Sequence, residues 1–343
     1  MFQQSIRKML FGAPVWTPFW VSVWAVAWTV PPVVAEDPAD SRQANPGVDL
    51  QQLSPQDSGF DVIKTPNLRF CDHDQGDRQS AELCDVYVPR SKTDPKEDAG
   101  RRWPVILVVH GGGWATGDKW TMDRHARQLA QNGFAAVSIN YRLAPTCKFP
   151  DQVDDVRSAL VWITEHAEAY SFNLDRVGLY GYSAGGHLVS LVATLADEPW
   201  KQVRQTTSWL EEDARWKNIP KIGAVCIGGP PTDFRYLPPD NTALAFFLGG
   251  SRRELPGVYT AASPICFTSP KDPPFQIIHG EADGIVPVNN AIDFHQALID
   301  SRVDASLETL PKKGHFLAFI SPKLTQWMLS FFDKHLSKEQ STR

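Results

Sequence analysis

The sequence predicts an α/β fold, a mostly parallel sheet of about eight strands with helices on both faces and a small cap from insertions. Two observations predict it: short apolar runs alternate with longer amphipathic stretches, and two early runs have only a turn between them. At 343 residues and 42% hydrophobic content the chain has ample material for a substantial buried core.

The elements follow in order. The early runs, Leu68 to Cys71 and Leu83 to Val88, should pair antiparallel at one edge of the sheet. VILVVH (105–110), AAVSINY (135–141), VGLYGYS (177–183), IGAVCIGG (222–229) and FQIIHGE (275–281) are the next strand candidates, and SLETLP adds a last one. Helical stretches lie between several of them. In residues 151–169, Val153, Val156, Ala159, Leu160 and Ile163 recur at helix spacing, and HLVSLVATLA and LTQWMLSFF are also helix-compatible. Two insertions, about 197–220 and 231–270, are too long for tight connections and too rich in Trp, Pro and charge for core. They are the expected material of a cap over an active site.

The N-terminus reads differently from the rest. Arg7 and Lys8 precede an uncharged stretch from Met9 to Val34, which ends in Val33, Val34 and Ala35 ahead of Glu36 and Asp37. That is the layout of a secretory signal peptide with cleavage after Ala35, and it predicts a secreted or periplasmic protein with no stable membrane span after cleavage. The rival reading is an uncleaved membrane anchor, since about 20 apolar residues can span a bilayer. The expected division is a signal peptide (1–35), a flexible leader (36–60), one catalytic domain (61–337) and a C-terminal tail (338–343).

A net charge of -5 gives no basic field for a phosphate backbone, so nucleic acid is not an expected partner. Export makes disulfides permissible for the five cysteines. Cys71 and Cys84 could face each other across a hairpin, Cys226 reads as a buried small hydrophobe, and Cys147 and Cys266 remain unassigned. No cysteine pair has zinc-ligand spacing.

Four features at strand ends converge on one chemistry. Gly181, Ser183 and Gly185 stand in GxSxG spacing between VGLY and a helix-compatible run, where a sharp strand-to-helix turn thrusts the serine outward. A structural turn would explain that pattern alone about as well. HGGGW (110–114) follows a buried strand, and consecutive glycines let backbone N–H groups point at an oxygen that becomes negative. Gly112 and Gly113 are the preferred donors, with Gly111 possible and Ala184 completing the oxyanion hole; His110 reads as a structural ligand of the loop. Asp283 in HGEADGIVP lies just past a strand, with Glu281 and Asp233 as competing acids. His315 in KKGHF is the histidine downstream of Asp283 that sits in a Gly-flanked loop, whereas His295 and His335 lie within helical patterns.

The order Ser183, Asp283, His315, with the glycine loop before all three, is that of α/β-hydrolases. The chain resembles the hormone-sensitive-lipase-like esterase group of that fold, close to bacterial secreted carboxylesterases of the BD-FAE type, over roughly residues 60–336. Besides HGGGW and GYSAGG, the resemblance rests on YRLAP (141–145), FPDQVDDVRSALVWI (149–163) and HGEADGIVP. One departure is visible: members commonly carry an acidic residue straight after YRLAP, where this chain has Thr146 and Cys147. The resemblance implies a serine esterase that needs no metal or organic cofactor; export suggests extracellular or periplasmic substrates, small-molecule short-acyl or carbohydrate-linked esters, for which the twelve Trp residues could form a sugar platform. A serine peptidase, an arylformamidase or a hydrolase-like binding protein could use the same scaffold.

Overall fold

A computed structural model describes residues 59–71 and 79–337. The expected signal peptide, nearly all of the leader and the C-terminal tail lie outside the described residues. Eight strands form one sheet: β1 (Phe60–Arg69), β2 (Leu83–Ser91), β3 (Trp103–Val109), β4 (Ala135–Ile139), β5 (Phe172–Tyr182), β6 (Ile222–Gly228), β7 (Phe275–Gly280) and β8 (Ala305–Leu310). Their spatial order is β1-β2-β4-β3-β5-β6-β7-β8. The β1–β2 and β2–β4 pairs are antiparallel; from β4 onward every pair is parallel.

The helices are α1 (Asp123–Gln131), α2 (Asp151–Glu165), α3 (Ala184–Thr194), α4 (Trp200–Val203), α5 (Ala245–Leu248), α6 (Pro256–Ala261), α7 (Asn289–Asp300), α8 (His315–Phe319) and α9 (Pro322–Leu336). Side chains alternate across the pleat of β3. Val105, Leu107 and Val109 belong to the core on one face of the sheet, with buried residues of α2, α3 and α7, whereas Ile106 and Val108 belong to the core on the other, with those of α1 and α9. Every residue of β3 is buried, as expected of a strand covered on both faces. On α9, Leu324, Met328, Phe331, Phe332 and Leu336 recur at helical spacing and are buried against the sheet. Each such side chain contributes about 1.5–3 kcal/mol relative to exposure.

The structure corrects three expectations. First, β1 starts at Phe60, well before Leu68, with its pairing interrupted between Thr65 and Leu68, around Pro66 and Asn67. An irregular edge strand tolerates proline, which a central strand does not. Second, the β1–β2 register sets Cys84 opposite Leu68, and Cys84 is a buried thiol outside any disulfide, so a Cys71–Cys84 bridge is not formed. Third, the two insertions go to opposite edges of the sheet. Residues 231–270 follow the C-terminal end of β6, whereas residues 197–220 connect the end of α3 to the start of β6 and therefore sit at the N-terminal edge.

The segment after YRLAP supplies the charge that Thr146 and Cys147 do not. Arg142 bonds both carboxylate oxygens of Asp155 and the backbone carbonyl of Asp151, fastening the approach to α2. No helix among the described residues is long and apolar enough to cross a membrane.

Candidate active site

The register brings the functional segments to one edge. Val109 pairs with Gly181 and Tyr182 with Gly228, so the loops after β3, β5 and β6 leave the sheet side by side at its C-terminal end. The loops after β7 and β8, which carry Asp283 and His315, leave from the same end.

Ser183 occupies the turn between β5 and α3 with φ 54° and ψ -122°, a backbone region unfavourable to a residue with a Cβ. Its N–H donates to Gly228 O at 2.7 Å and its carbonyl accepts from His187 N at 3.0 Å, which hold the strained turn in place. Close approach explains the flanking glycines. A Cβ on Gly181 would stand 2.3 Å from Gly185 O, and one on Gly185 would stand 2.1 Å from Val109 O. The elbow therefore forms only because both positions lack a side chain.

The glycine loop is tied down through its neighbours. Gly112, at φ 117°, accepts from the N–H groups of Ala115 and Thr116, and its own N–H and that of Gly113 have no acceptor among the described residues. The N–H of Ala184, first residue of α3, likewise has no acceptor within the helix. A Cβ on Gly111 would stand 3.1 Å from the Ser183 Cβ, so this backbone passes directly beside the serine. His110 is buried, stacks on Tyr141 at 4.3 Å and has Nδ1 2.6 Å from Gly111 O, the structural role expected of it. Burial pushes its imidazole down to about 4.

Trp114 stacks on Phe247 at 4.3 Å and its Nε1–H donates to His187 Nδ1 at 3.1 Å. His187 Nε2 is 2.7 Å from Ala262 O, so it carries the proton and donates, which fixes the neutral tautomer. Burial likewise lowers this imidazole to about 4.

His315 Nδ1 lies 2.6 Å from Asp283 Oδ2, both residues are buried, and this bond leaves Nε2 as the basic nitrogen. His315 opens the short helix α8 rather than sitting in an open loop. Asp283 Oδ1 accepts from the N–H groups of Ile285 and Val286, each at 2.9 Å. Burial alone would raise the carboxyl; the bonds from His279 and His315, with backbone help from Val286, outweigh it and hold Asp283 well below the usual carboxylate range. The competing acids are engaged elsewhere. Asp233 forms a two-pronged pair with Arg235, and Glu281 accepts from Thr309 Oγ1.

Two residues beyond the sequence reading complete the arrangement. His279 Nε2 is 2.9 Å from Val286 O and 3.3 Å from Asp283 Oδ2, so one N–H is shared between two acceptors behind the acid. Tyr182 donates its hydroxyl to the His315 carbonyl at 2.5 Å. Neither is conspicuous in the sequence, because each reads as an ordinary strand residue; the signal for His279 is an imidazole four places before an acid at a strand's end.

Ser183, His315, Ala184 and Gly111, Gly112 and Gly113 all line one cavity of ≈ 390 Å³. No hydrogen bond joins Ser183 to His315 among the described residues. Such links are commonly loose without substrate and tighten when it binds. Thr121, Pro231, Leu244, Ile285, Val286, Phe316 and Phe319 also contribute to the wall, and no Asp, Glu, Lys or Arg does. The insertion at 231–270 thus reaches the cavity, whereas residues 197–220 line a separate one with Trp200 and Trp216. No metal-ligating cluster is present among the described residues.

Comparison with known proteins agrees with this architecture. Residues 84–298 match the BD-FAE family model. Esterase LipQ of Mycobacterium tuberculosis is 32% identical over 249 residues, which cover 69% of this chain and 58% of LipQ. Esterase LipC of the same organism is 30% identical over 242 residues, covering 68% of this chain and 57% of LipC. The match thus spans little more than half the length of these relatives. Among solved structures, a truncated carbohydrate esterase from gut microbiota superposes with a TM-score of 0.69 at 21% identity, covering 83% of this chain and 99% of the other. Esterase B from Lactobacillus rhamnosis gives 0.64 at 23% identity, covering 82% and 86%. Sheet order, site position and family match together establish that the chain has the α/β-hydrolase fold and belongs to the BD-FAE family.

Proposed function

We propose that the protein is a secreted serine carboxylesterase in which Ser183, His315 and Asp283 form the catalytic triad. The observation that carries the reading is the 2.6 Å bond between Asp283 and His315 in the wall of the cavity that also holds the strained Ser183. His315 Nε2 takes the proton as Ser183 Oγ attacks the ester carbonyl. Asp283 keeps the imidazole in the required tautomer and stabilises its positive charge. The carbonyl oxygen becomes an oxyanion held by the unspent N–H groups of Gly112, Gly113 and Ala184, with Gly111 alongside. Collapse returns the proton from His315 to the leaving alkoxide and releases the alcohol. Water, deprotonated in turn by His315, then cleaves the acyl-serine to carboxylate and restores Ser183.

The wall supports a neutral ester. A carboxylate or ammonium on the substrate would leave water with no opposite charge to meet it. A carbohydrate platform has less support at this cavity: of the tryptophans among the described residues, Trp114 alone lines it, while Trp200 and Trp216 line the other. Export with cleavage after Ala35 is part of the same proposal and rests on the N-terminal sequence.

Ser183→Ala should reduce turnover of p-nitrophenyl acetate by about 10⁴-fold or more while circular dichroism stays native. A serine-directed phosphonate should label the peptide containing Ser183 alone. Near-normal turnover in the variant, or labelling elsewhere, refutes the assignment.

A further inference from the structure

Among the described residues nine large hydrophobic side chains are exposed, and four belong to two adjoining segments that also contribute to the cavity wall: Trp120 (67% exposed), Phe316 (71%), Leu317 (52%) and Ile320 (54%). The remaining five are spread over other elements. Trp120 precedes Thr121, which lines the cavity together with Phe316 and Phe319. The two segments are joined where Arg124 Nη1 donates to Ile320 O at 3.0 Å and where the His125 ring meets Phe319 at 4.8 Å. On α8, His315 and Ala318 point inward and are buried, so Phe316 and Leu317 are left to solvent on the opposite face. Exposed apolar groups concentrated in this way mark an interaction site.

The segment that carries α8 has charge of one sign, and the acids nearest the rim are already bonded: Asp118 accepts from Trp120 N and Asn140 Nδ2, and Glu281 accepts from Thr309 Oγ1. Residues 311–323 carry Lys312, Lys313 and Lys323 and neither Asp nor Glu, and all three lysines are exposed. Arg124 adds a fourth cation on α1. Asp123, its neighbour, is already bonded by Lys64, Tyr87 and Arg127. Glu308 on β8 is half-buried within the field of Lys323. Apolar tips beside cations are the pattern by which a surface sinks side chains among acyl chains while its lysines meet anionic headgroups.

We infer that the rim formed by Trp120, Phe316, Leu317 and Ile320 docks the protein on an anionic lipid surface, with the cavity mouth facing the layer. Delivery of an apolar ester from that layer rests on the proposed hydrolase reading; the docking itself does not, because binding is measured without turnover.

The test is flotation of the full chain with vesicles of phosphatidylcholine alone or mixed with phosphatidylglycerol. The chain should bind the mixed vesicles more tightly, and added salt should weaken binding. Trp120→Ser, Leu317→Ser and Ile320→Ser combined should bind at least about tenfold more weakly. Lys312→Gln, Lys313→Gln and Lys323→Gln combined should abolish the preference for the anionic lipid. Both variants should keep wild-type p-nitrophenyl acetate turnover, which verifies folding, and the N-terminal segment is common to all three proteins. Should the triple serine variant fail to fold, Trp120→Ser alone and the salt dependence of the wild type decide the question in its place. Equal binding by wild type and serine variant overturns the inference, as does failure of the wild type to bind. A dimer that dissociates on the serine substitutions would also overturn it, assigning the rim to a second copy of the chain.

Discussion

Asp283 collects four donors onto one carboxylate: two backbone N–H groups on Oδ1, and His315 with His279 on Oδ2. A carboxylate fixed at both oxygens has little freedom to rotate, so the imidazole bonded to it is aimed as well. On the proposed mechanism His279 is thus a positioning residue whose effect reaches substrate through Asp283 and His315. His279→Phe should lower kcat by about tenfold with KM unchanged, far less than the ~10⁴-fold loss on disabling a triad acid. His279→Gln, which can still donate, should recover much of the loss. An unchanged kcat in the Phe variant would reduce His279 to a packing residue.

At the scale of elements, what the sequence revealed and what it concealed have a common physical origin. Strands covered on both faces, such as β3 and β6, announce themselves as unbroken apolar runs, and the loops that leave their C-terminal ends bring Ser183, Asp283 and His315 to one edge, as their order implies. The start of β1 was concealed because an edge strand half exposed to water alternates weakly and carries Pro66. The destination of residues 197–220 was concealed because composition does not say which end of a strand a connection meets. The hold on that insertion comes from α2. Asp154 accepts from Thr207 Oγ1, Ser208 N and Ser208 Oγ, and Arg157 donates to the Thr206 carbonyl and hydroxyl. Arg157 and Asp154 are both buried, 3.2 Å apart. Arg157→Met should therefore cost up to about 3–5 kcal/mol, since it leaves the buried Asp154 carboxylate with neutral donors only and no ion-pair partner. Limited proteolysis should cut faster within 204–218, whereas kcat/KM on a soluble ester should hold, because this insertion lies away from the cavity. A large loss of kcat/KM in a folded variant would show that residues 197–220 act on the site after all.

For the molecule as a whole, acid is the sensitive direction. His110, His125 and His187 are buried, and burial lowers each imidazole from 6.5 to about 4, with Arg124 adding to the effect at His125. An imidazole kept neutral in the fold contributes stability that is complete above 6.5 and is lost as pH falls from there toward 4. The total is roughly 3 kcal/mol for each. Asp283 adds a loss in the same direction at still lower pH. Asp272 works the other way: burial and the nearby Glu198 and Asp197 raise it to about 7, so its protonation offsets part of the loss. The urea midpoint followed by circular dichroism should fall steeply between about pH 6.5 and about pH 4.5. A flat midpoint over that interval would mean these imidazoles are charged in the folded protein.

The bonds that run from Trp114 to His187 to Ala262 form a one-way relay of hydrogen bonds: Trp114 donates to His187, His187 donates to the Ala262 carbonyl, and neither bond can reverse. If His187 took up a second proton, two N–H groups would point at one another and the relay would jam at its middle link. The glycine loop, whose amides are proposed to receive the oxyanion, is anchored at the head of that relay through Trp114, so acid would loosen those amides in the same event that loosens the packing around Phe247. Part of the loss of rate on acidification should then run in step with the loss of structure.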